Sequence, residues 1–274
     1  MENKKTKIIT ISSGKGGVGK TCIALNLALG LIKGGHRVCL LDADLGLANV
    51  DVLLGISPEH SLMEYIEDRC ALDDLLIKGP DGLGIIPGGS GLDRLPQLKS
   101  DEKEKLADIL PLLQDNDELI IDTAAGISDI VLHFLDAATI PVIVIIPEPT
   151  SLTDAYSLLK TYCGRGYHGP VYILLNRVKS AGHAKGLFNK FNAVVRKYLD
   201  ISIKPIGFVL FDEKVQEAVK EQTPFMNAFP DSLAGKSMQR IAHTVSQNHH
   251  ILPNEKHLDQ LFFSNQIQQV STGE

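Results

Sequence analysis

Gly14-Lys15-Gly16-Gly17-Val18-Gly19-Lys20-Thr21 follows the apolar run Ile8-Ile9-Thr10-Ile11 and opens an apolar-periodic segment from Cys22 to Ile32. Strand, glycine-rich loop and helix therefore occur in the order that a phosphate-binding loop requires. The pattern G-x-x-x-x-G-K-[ST] uses glycines so that backbone N–H groups can wrap oxygen atoms, a lysine for the β- and γ-phosphates, and a hydroxyl for magnesium. Gly14, Gly19, Lys20 and Thr21 fill these posts, and a helix starting near Gly19 adds the positive end of its dipole. A second lysine, Lys15, directly follows the first glycine, where an ordinary phosphate loop has no need of one.

Beyond this loop, short aliphatic runs alternate with longer helical patterns. Strands are predicted near 7–12, 37–42, 84–87, 117–122, 140–146, 171–176 and 203–209. Such alternation specifies an α/β fold, a doubly wound and mostly parallel sheet with helices on both faces. Leu119-Ile120-Ile121 and Val142-Ile143-Val144-Ile145-Ile146 are apolar at consecutive positions, so they belong at the sheet centre, buried on both sides.

The 274 residues, 44% of them hydrophobic, suffice for one large domain over residues 1–250. A polar and proline-containing boundary near His249-His250-Ile251-Leu252-Pro253-Asn254 sets off a tail at 251–274. No run approaches the roughly eighteen apolar residues of a membrane span, and no signal peptide precedes the first strand, so a cytoplasmic location is expected. Cys22, Cys39, Cys70 and Cys163 form no C-x-x-C pair, which argues against a disulfide framework, a zinc site or an iron–sulfur carrier. His243, His249, His250 and His257 lack ligand spacing. The net charge of −6 argues against a dedicated nucleic-acid binder, and Lys179, Lys185, Lys190, Arg196 and Lys197 read as the solvated face of a surface helix.

Three further stations sit at predicted strand ends, where an open α/β sheet places its ligand. Asp42-Ala43-Asp44 puts one carboxylate toward a metal shell and leaves the other near an attacking water. Asp122, closing the run Leu119-Ile120-Ile121, is placed to hold magnesium through water, with Ala125-Gly126 positioned to sense the γ-phosphate. Asn176, after Leu174-Leu175, offers a donor and an acceptor together, which suits an adenine edge.

The loop with its extra lysine, the Asp42-x-Asp44 pair, Asp122-Thr123 and Asn176-Arg177 together resemble the deviant-Walker ATPases, the MinD/ParA group of the SIMIBI class of P-loop NTPases, over roughly residues 6 to 245. The resemblance implies ATP/ADP and Mg²⁺ as cofactors, with Gly14, Lys15, Gly16, Gly17, Val18, Gly19, Lys20, Thr21, Cys22, Glu148 and Asn176 around the nucleotide. It implies Thr21, Asp42 and Asp122 about the metal. It assigns catalysis to Lys20, to Asp44 orienting the water, and to Lys15 reaching the partner's phosphates across an ATP-dependent homodimer. Glu148 would lie near a ribose and Asp154 near the incoming lysine.

Within the group, Asp42 to Gly55, Ile85 to Gly91, Phe211 to Val215, Thr223-Pro224-Phe225 and Phe229 to Ser232 look most like the FlhG/FleN branch, regulators of flagellar number and placement. That likeness implies as partners the GTPase FlhF, a flagellar transcription activator and basal-body switch proteins. Many relatives of that branch carry an N-terminal Asp-Gln-Ala element that stimulates FlhF; here the first strand begins within a few residues of Met1, and direct activation of FlhF is not expected. In the tail, Leu258, Leu261, Phe262, Phe263, Ile267 and Val270 supply apolar surface and Lys256 alone fixed positive charge. Two readings of the tail stand side by side: weak, reversible contact with the inner face of the cell membrane, or packing on the ATPase body. A MinD-type division-site regulator and a ParA-type DNA segregation ATPase are the rival readings of the same core.

Overall fold

The computed structural model describes residues 6–44 and 49–247. The strands are β1 (Lys7–Ser13), β2 (Val38–Ala43), β3 (Ile77–Lys78), β4 (Gly84–Pro87), β5 (Glu118–Ala125), β6 (Ile140–Ile145), β7 (Pro170–Val178) and β8 (Ser202–Leu210). They form one sheet in the order β3-β4-β2-β5-β1-β6-β7-β8. Every pairing is parallel except the antiparallel edge pair of β3 and β4. The seven strands expected from the sequence are all present. The added β3 spans only two residues, too few to leave a periodic signal.

The helices are α1 (Lys20–Lys33), α2 (Asn49–Leu54), α3 (Leu62–Ile66), α4 (Ser100–Gln114), α5 (Asp129–Ala137), α6 (Pro149–Gly164), α7 (Ala181–Tyr198), α8 (Glu213–Lys220), α9 (Phe225–Ala228) and α10 (Leu233–Gln247). Side chains alternate along a strand, so Ile9 and Ile11 of β1 enter one core while Ile8 enters another. The first core joins the sheet to α1, α9 and α10; on the opposite face one cluster gathers α3, α4 and α5, and another gathers α5, α6 and α7. This is the doubly wound arrangement that the alternation specified.

Polar groups inside these layers are used to fix one element on another. Buried Asn26 of α1 accepts from the Met226 N–H of α9 at 2.9 Å and donates to the Cys22 carbonyl at 2.8 Å. The Thr10 hydroxyl of β1 donates to the Phe134 carbonyl of α5 at 2.8 Å. β1 lies at the centre, with β5 and β6 on either side, so its carboxyl end opens at the point where the chain departs in both directions. Among the described residues no helix is long and apolar enough to cross a membrane. The tail at 251–274, including the apolar residues from Leu258 to Val270, lies outside the described residues.

Candidate functional site

The carboxyl ends of β1, β2, β5 and β7 bring the sequence-derived stations together. Gly14 to Gly19 links β1 to α1, and α1 begins without a side-chain cap and without an acidic residue in its first turn. Its leading N–H groups are thus left for an anion. Two glycines are required by their surroundings. A Cβ at Gly14 would lie 2.2 Å from the carbonyl carbon of Asp154, so the loop can rest against the first turns of α6 only without a side chain. Gly19 has φ 91°, and a Cβ there would stand 2.8 Å from Asn176 Nδ2.

Beneath the loop, the register between β2 and β5 places Asp42 beside Asp122, and that between β1 and β5 places Asp122 beside Ile11. Asp122 is 0% exposed and Asp42 7%. Asp42 accepts from the Asp44 N–H at 3.2 Å and the Val50 N–H at 3.3 Å, which ties the first turn of α2 to the end of β2. Both oxygens of Asp122 are buried without a hydrogen bond of normal geometry. Burial pushes the Asp122 carboxyl up to about 8; the Thr21 hydroxyl beside it pulls the other way, and the charge of Asp42 adds to the rise. Burial likewise raises Asp42 to about 6 against the two N–H donors. A buried carboxylate pair with an unpartnered member is costly without a cation. The donor set of Thr21, Asp42 and Asp122 is all oxygen, and the few protein ligands match an ion that keeps much of its water, so the residues fit Mg²⁺.

The neighbouring strand end is tied in by backbone. Gly126 N–H donates to the Ser13 carbonyl at 2.8 Å, and the Thr123 hydroxyl donates to the Ile11 carbonyl at 3.1 Å. The ends of β1 and β5 are therefore joined directly at Gly126.

Asn176 is brought to the loop by a bond that the sequence did not disclose. Its Nδ2 donates to the Val18 carbonyl at 2.8 Å and its Oδ1 accepts from the Arg177 N–H at 2.8 Å, with Arg177 in the left-handed region at φ 56°. One N–H and one lone pair of the amide remain for another group. Asn176 and Arg177 border a cavity of about 390 Å³ that reaches from Gly19 and Cys22 to β8 and α8. Val209, Phe211, Val215, Gln216 and Val219 line its far side. No motif assigned this wall. The signal for it was Phe211-Asp212-Glu213, a polar turn after a strand in the manner of Asp42, Asp122 and Asn176. The Cys22 thiol at the cavity floor is pushed up to about 12 by burial, which makes it a packing group and not a nucleophile.

Lys15 and Glu148 are also joined. Lys15 Nζ lies 2.6 Å from Glu148 Oε2 and 2.9 Å from Thr150 Oγ1, with side-chain exposures of 34% for the lysine and 50% for the glutamate. Glu148, expected near a ribose, thus holds the chain's own signature lysine, and Asp154 meets the loop through its backbone at Gly14. Lys15 stands at an open face and not against the Asp42–Asp122 pair.

The comparisons with known proteins agree with this geometry. Residues 9–225 match the CobQ/CobB/MinD/ParA nucleotide-binding domain. The antiactivator FleN of Pseudomonas aeruginosa is 42% identical over 242 residues, 87% of this chain and 86% of the relative. The flagellum site-determining protein YlxH of Helicobacter pylori is 30% identical over 244 residues, 88% of this chain and 82% of the relative. Among solved structures, the MinC:MinD cell division complex of Aquifex aeolicus superposes with a TM-score of 0.70 at 24% identity, covering 92% of this chain and 99% of that one. With a phosphate loop, a carboxylate pair beneath it and this likeness over most of its length, the chain belongs to the CobQ/CobB/MinD/ParA family of nucleotide-binding proteins, as a homologue of FleN.

Proposed function

We propose that the chain is an ATP-dependent dimerisation switch with slow ATP hydrolysis that regulates flagellar number and placement. The observation that carries the switch is the division of labour between two lysines. Lys20 is buried in the helix start while Lys15 is held at a half-open face by Glu148 and Thr150, away from its own carboxylate pair. A cation so placed can serve a second copy more readily than its own site, and hydrolysis then depends on dimerisation. Glu148 would be released to meet the ribose of a bound nucleotide once Lys15 has left.

In this reading Gly14 to Thr21 bind the phosphates through backbone N–H groups, Lys20 and the start of α1 neutralise them, and Asp44 orients the attacking water. Thr21, Asp42 and Asp122 would hold Mg²⁺, which when bound offsets charge on the β- and γ-phosphate oxygens. Cys22 and Asn176, with the cavity that they border, receive the base. Residues 1–250 form the ATPase body, and the tail at 251–274 either touches the inner face of the membrane, weakly and reversibly, or packs on that body. FlhF, a flagellar transcription activator and basal-body switch proteins are the partners that the kinship with FleN and YlxH supports.

The test is the solution mass of the Asp44→Ala variant with Mg²⁺ and either ATP or ADP, with and without liposomes, beside Lys15→Ala. An ATP-only dimer that Lys15→Ala abolishes supports the switch. A monomer whatever the nucleotide, or hydrolysis unchanged in both variants, sinks it.

A further inference from the structure

Gln222 occupies a backbone conformation that suits glycine. It follows α8 with φ 50°, closing the helix through its N–H to the Val219 carbonyl at 3.2 Å. A left-handed residue after a helix is ordinarily glycine, because a Cβ there crowds the backbone. The glutamine side chain is solvent-exposed, so burial of apolar surface does not explain its presence. Its amide Nε2 donates to the Val52 carbonyl in α2 at 2.9 Å, across 170 positions of sequence. Gly55, itself at φ 63°, lies flat against the same side chain, with its missing Cβ 3.1 Å from Gln222 Oε1.

α2 is the next described element after the strand end that bears Asp42 and Asp44. At its start the Val50 N–H donates to Asp42 Oδ2 at 3.3 Å, and Val50, Leu53 and Leu54 pack on the core. Gln222 holds the same helix at the Val52 carbonyl. α8, which Gln222 terminates, contributes Val215, Gln216 and Val219 to the wall of the cavity beside Asn176. One amide therefore links the helix that walls this cavity to the helix that continues from the carboxylate strand end.

We propose that Gln222 is a positioning residue for hydrolysis: it clamps α2 to the end of α8 and so, through the Val50 and Asp44 N–H groups that share Asp42, steadies the strand end that carries Asp44. This rests on the reading above that Asp44 orients the water. The clamp explains why a residue unsuited to the left-handed region stands there. Glycine would relax the backbone and lose the bond to Val52, so folding stability and positioning should move apart.

The experiment compares Gln222→Gly and Gln222→Ala with the wild type in the full chain. It uses amide hydrogen exchange over residues 49–56 in the nucleotide-free protein, the melting temperature, and steady-state ATP hydrolysis with Mg²⁺. Both variants should exchange faster over 49–56 and lose about tenfold in kcat, with KM for ATP within about twofold, as expected when a reacting geometry loosens without loss of binding. The glycine variant should melt no lower than the wild type. Unchanged exchange over 49–56, or full kcat in the glycine variant, overturns the proposal; so does a rise in KM matching the fall in kcat, which would put Gln222 in nucleotide binding. Asp44→Ala separates the two layers. Hydrolysis surviving Asp44→Ala removes the underlying reading, whereas an inactive Asp44→Ala beside a fully active Gln222→Gly removes the clamp alone.

Discussion

Strand β5 carries two acids on one short stretch, Glu118 at its start and Asp122 four positions on, and both are 0% exposed. Their surroundings differ entirely. Glu118 receives His36 Nδ1 at 3.0 Å, with Lys7 Nζ at 3.9 Å. Asp122 has no hydrogen bond of normal geometry, lies beside Asp42 and is pushed by burial to about 8. Folding offers no reason for the second arrangement, since a buried polar group left unpaired destabilises the chain that contains it. The contrast separates a carboxylate that closes the fold at the amino end of the sheet from one left without a hydrogen bond at the carboxyl end, where the proposed function gives it a ligand.

The largest expected effect breaks the first half of the comparison. Glu118→Ala removes the carboxylate that buried Lys7 and half-buried His36 share, and a loss of about 3 kcal/mol in denaturant unfolding is expected. Asp122→Asn should do the opposite in metal-free protein at pH 8. It removes the carboxyl's charge while keeping its shape, and a gain of about 1–2 kcal/mol is expected by the same measurement in a chelator. If both substitutions destabilised equally, the distinction between the two ends of β5 would be lost.

Asp212 sharpens the comparison with a third case, a half-buried carboxylate served chiefly by backbone donors. Burial alone would raise it, yet the N–H groups of Ala234 and Lys214, with Ser232 and Leu233, hold it below the usual carboxylate range. A folded pKa below the unfolded one stabilises the protein above the unfolded value, and that stability is lost as pH falls through the folded value. Asp212→Asn keeps a capping oxygen but removes the charge that the helix start favours, so it should cost up to about 1 kcal/mol at neutral pH, and the difference from wild type should shrink on acidification. A gap independent of pH would contradict the assignment.

Much of the fold is legible in the sequence. The aliphatic runs gave seven strands because strands buried on both faces need apolar residues at consecutive positions, as at Val142 to Ile146. The phosphate loop, Asp42, Asp122 and Asn176 were legible because each stands where a strand ends and side-chain chemistry replaces side-chain packing. What the sequence withheld depends on contacts between distant segments. The amide of Asn176 on the Val18 carbonyl, Glu148 on Lys15, the backbone of Asp154 against Gly14 and Gln222 on α2 leave no periodic or compositional trace. The cavity wall from β8 and α8 is an intermediate case, since a polar turn after a strand marks it but its apolar residues look like ordinary core.

The central claim is that Asp122, unlike Glu118, is buried and unpaired on behalf of a magnesium–nucleotide complex. It is tested most directly by titrating ADP into the wild type, Asp122→Asn and a conservative Glu118→Gln, each with Mg²⁺ and with a chelator. The account predicts that Mg²⁺ strengthens ADP binding in the wild type and in Glu118→Gln, and that Asp122→Asn loses about tenfold or more of that Mg²⁺-dependent gain. An Asp122→Asn protein with the full Mg²⁺ dependence of the wild type would contradict it.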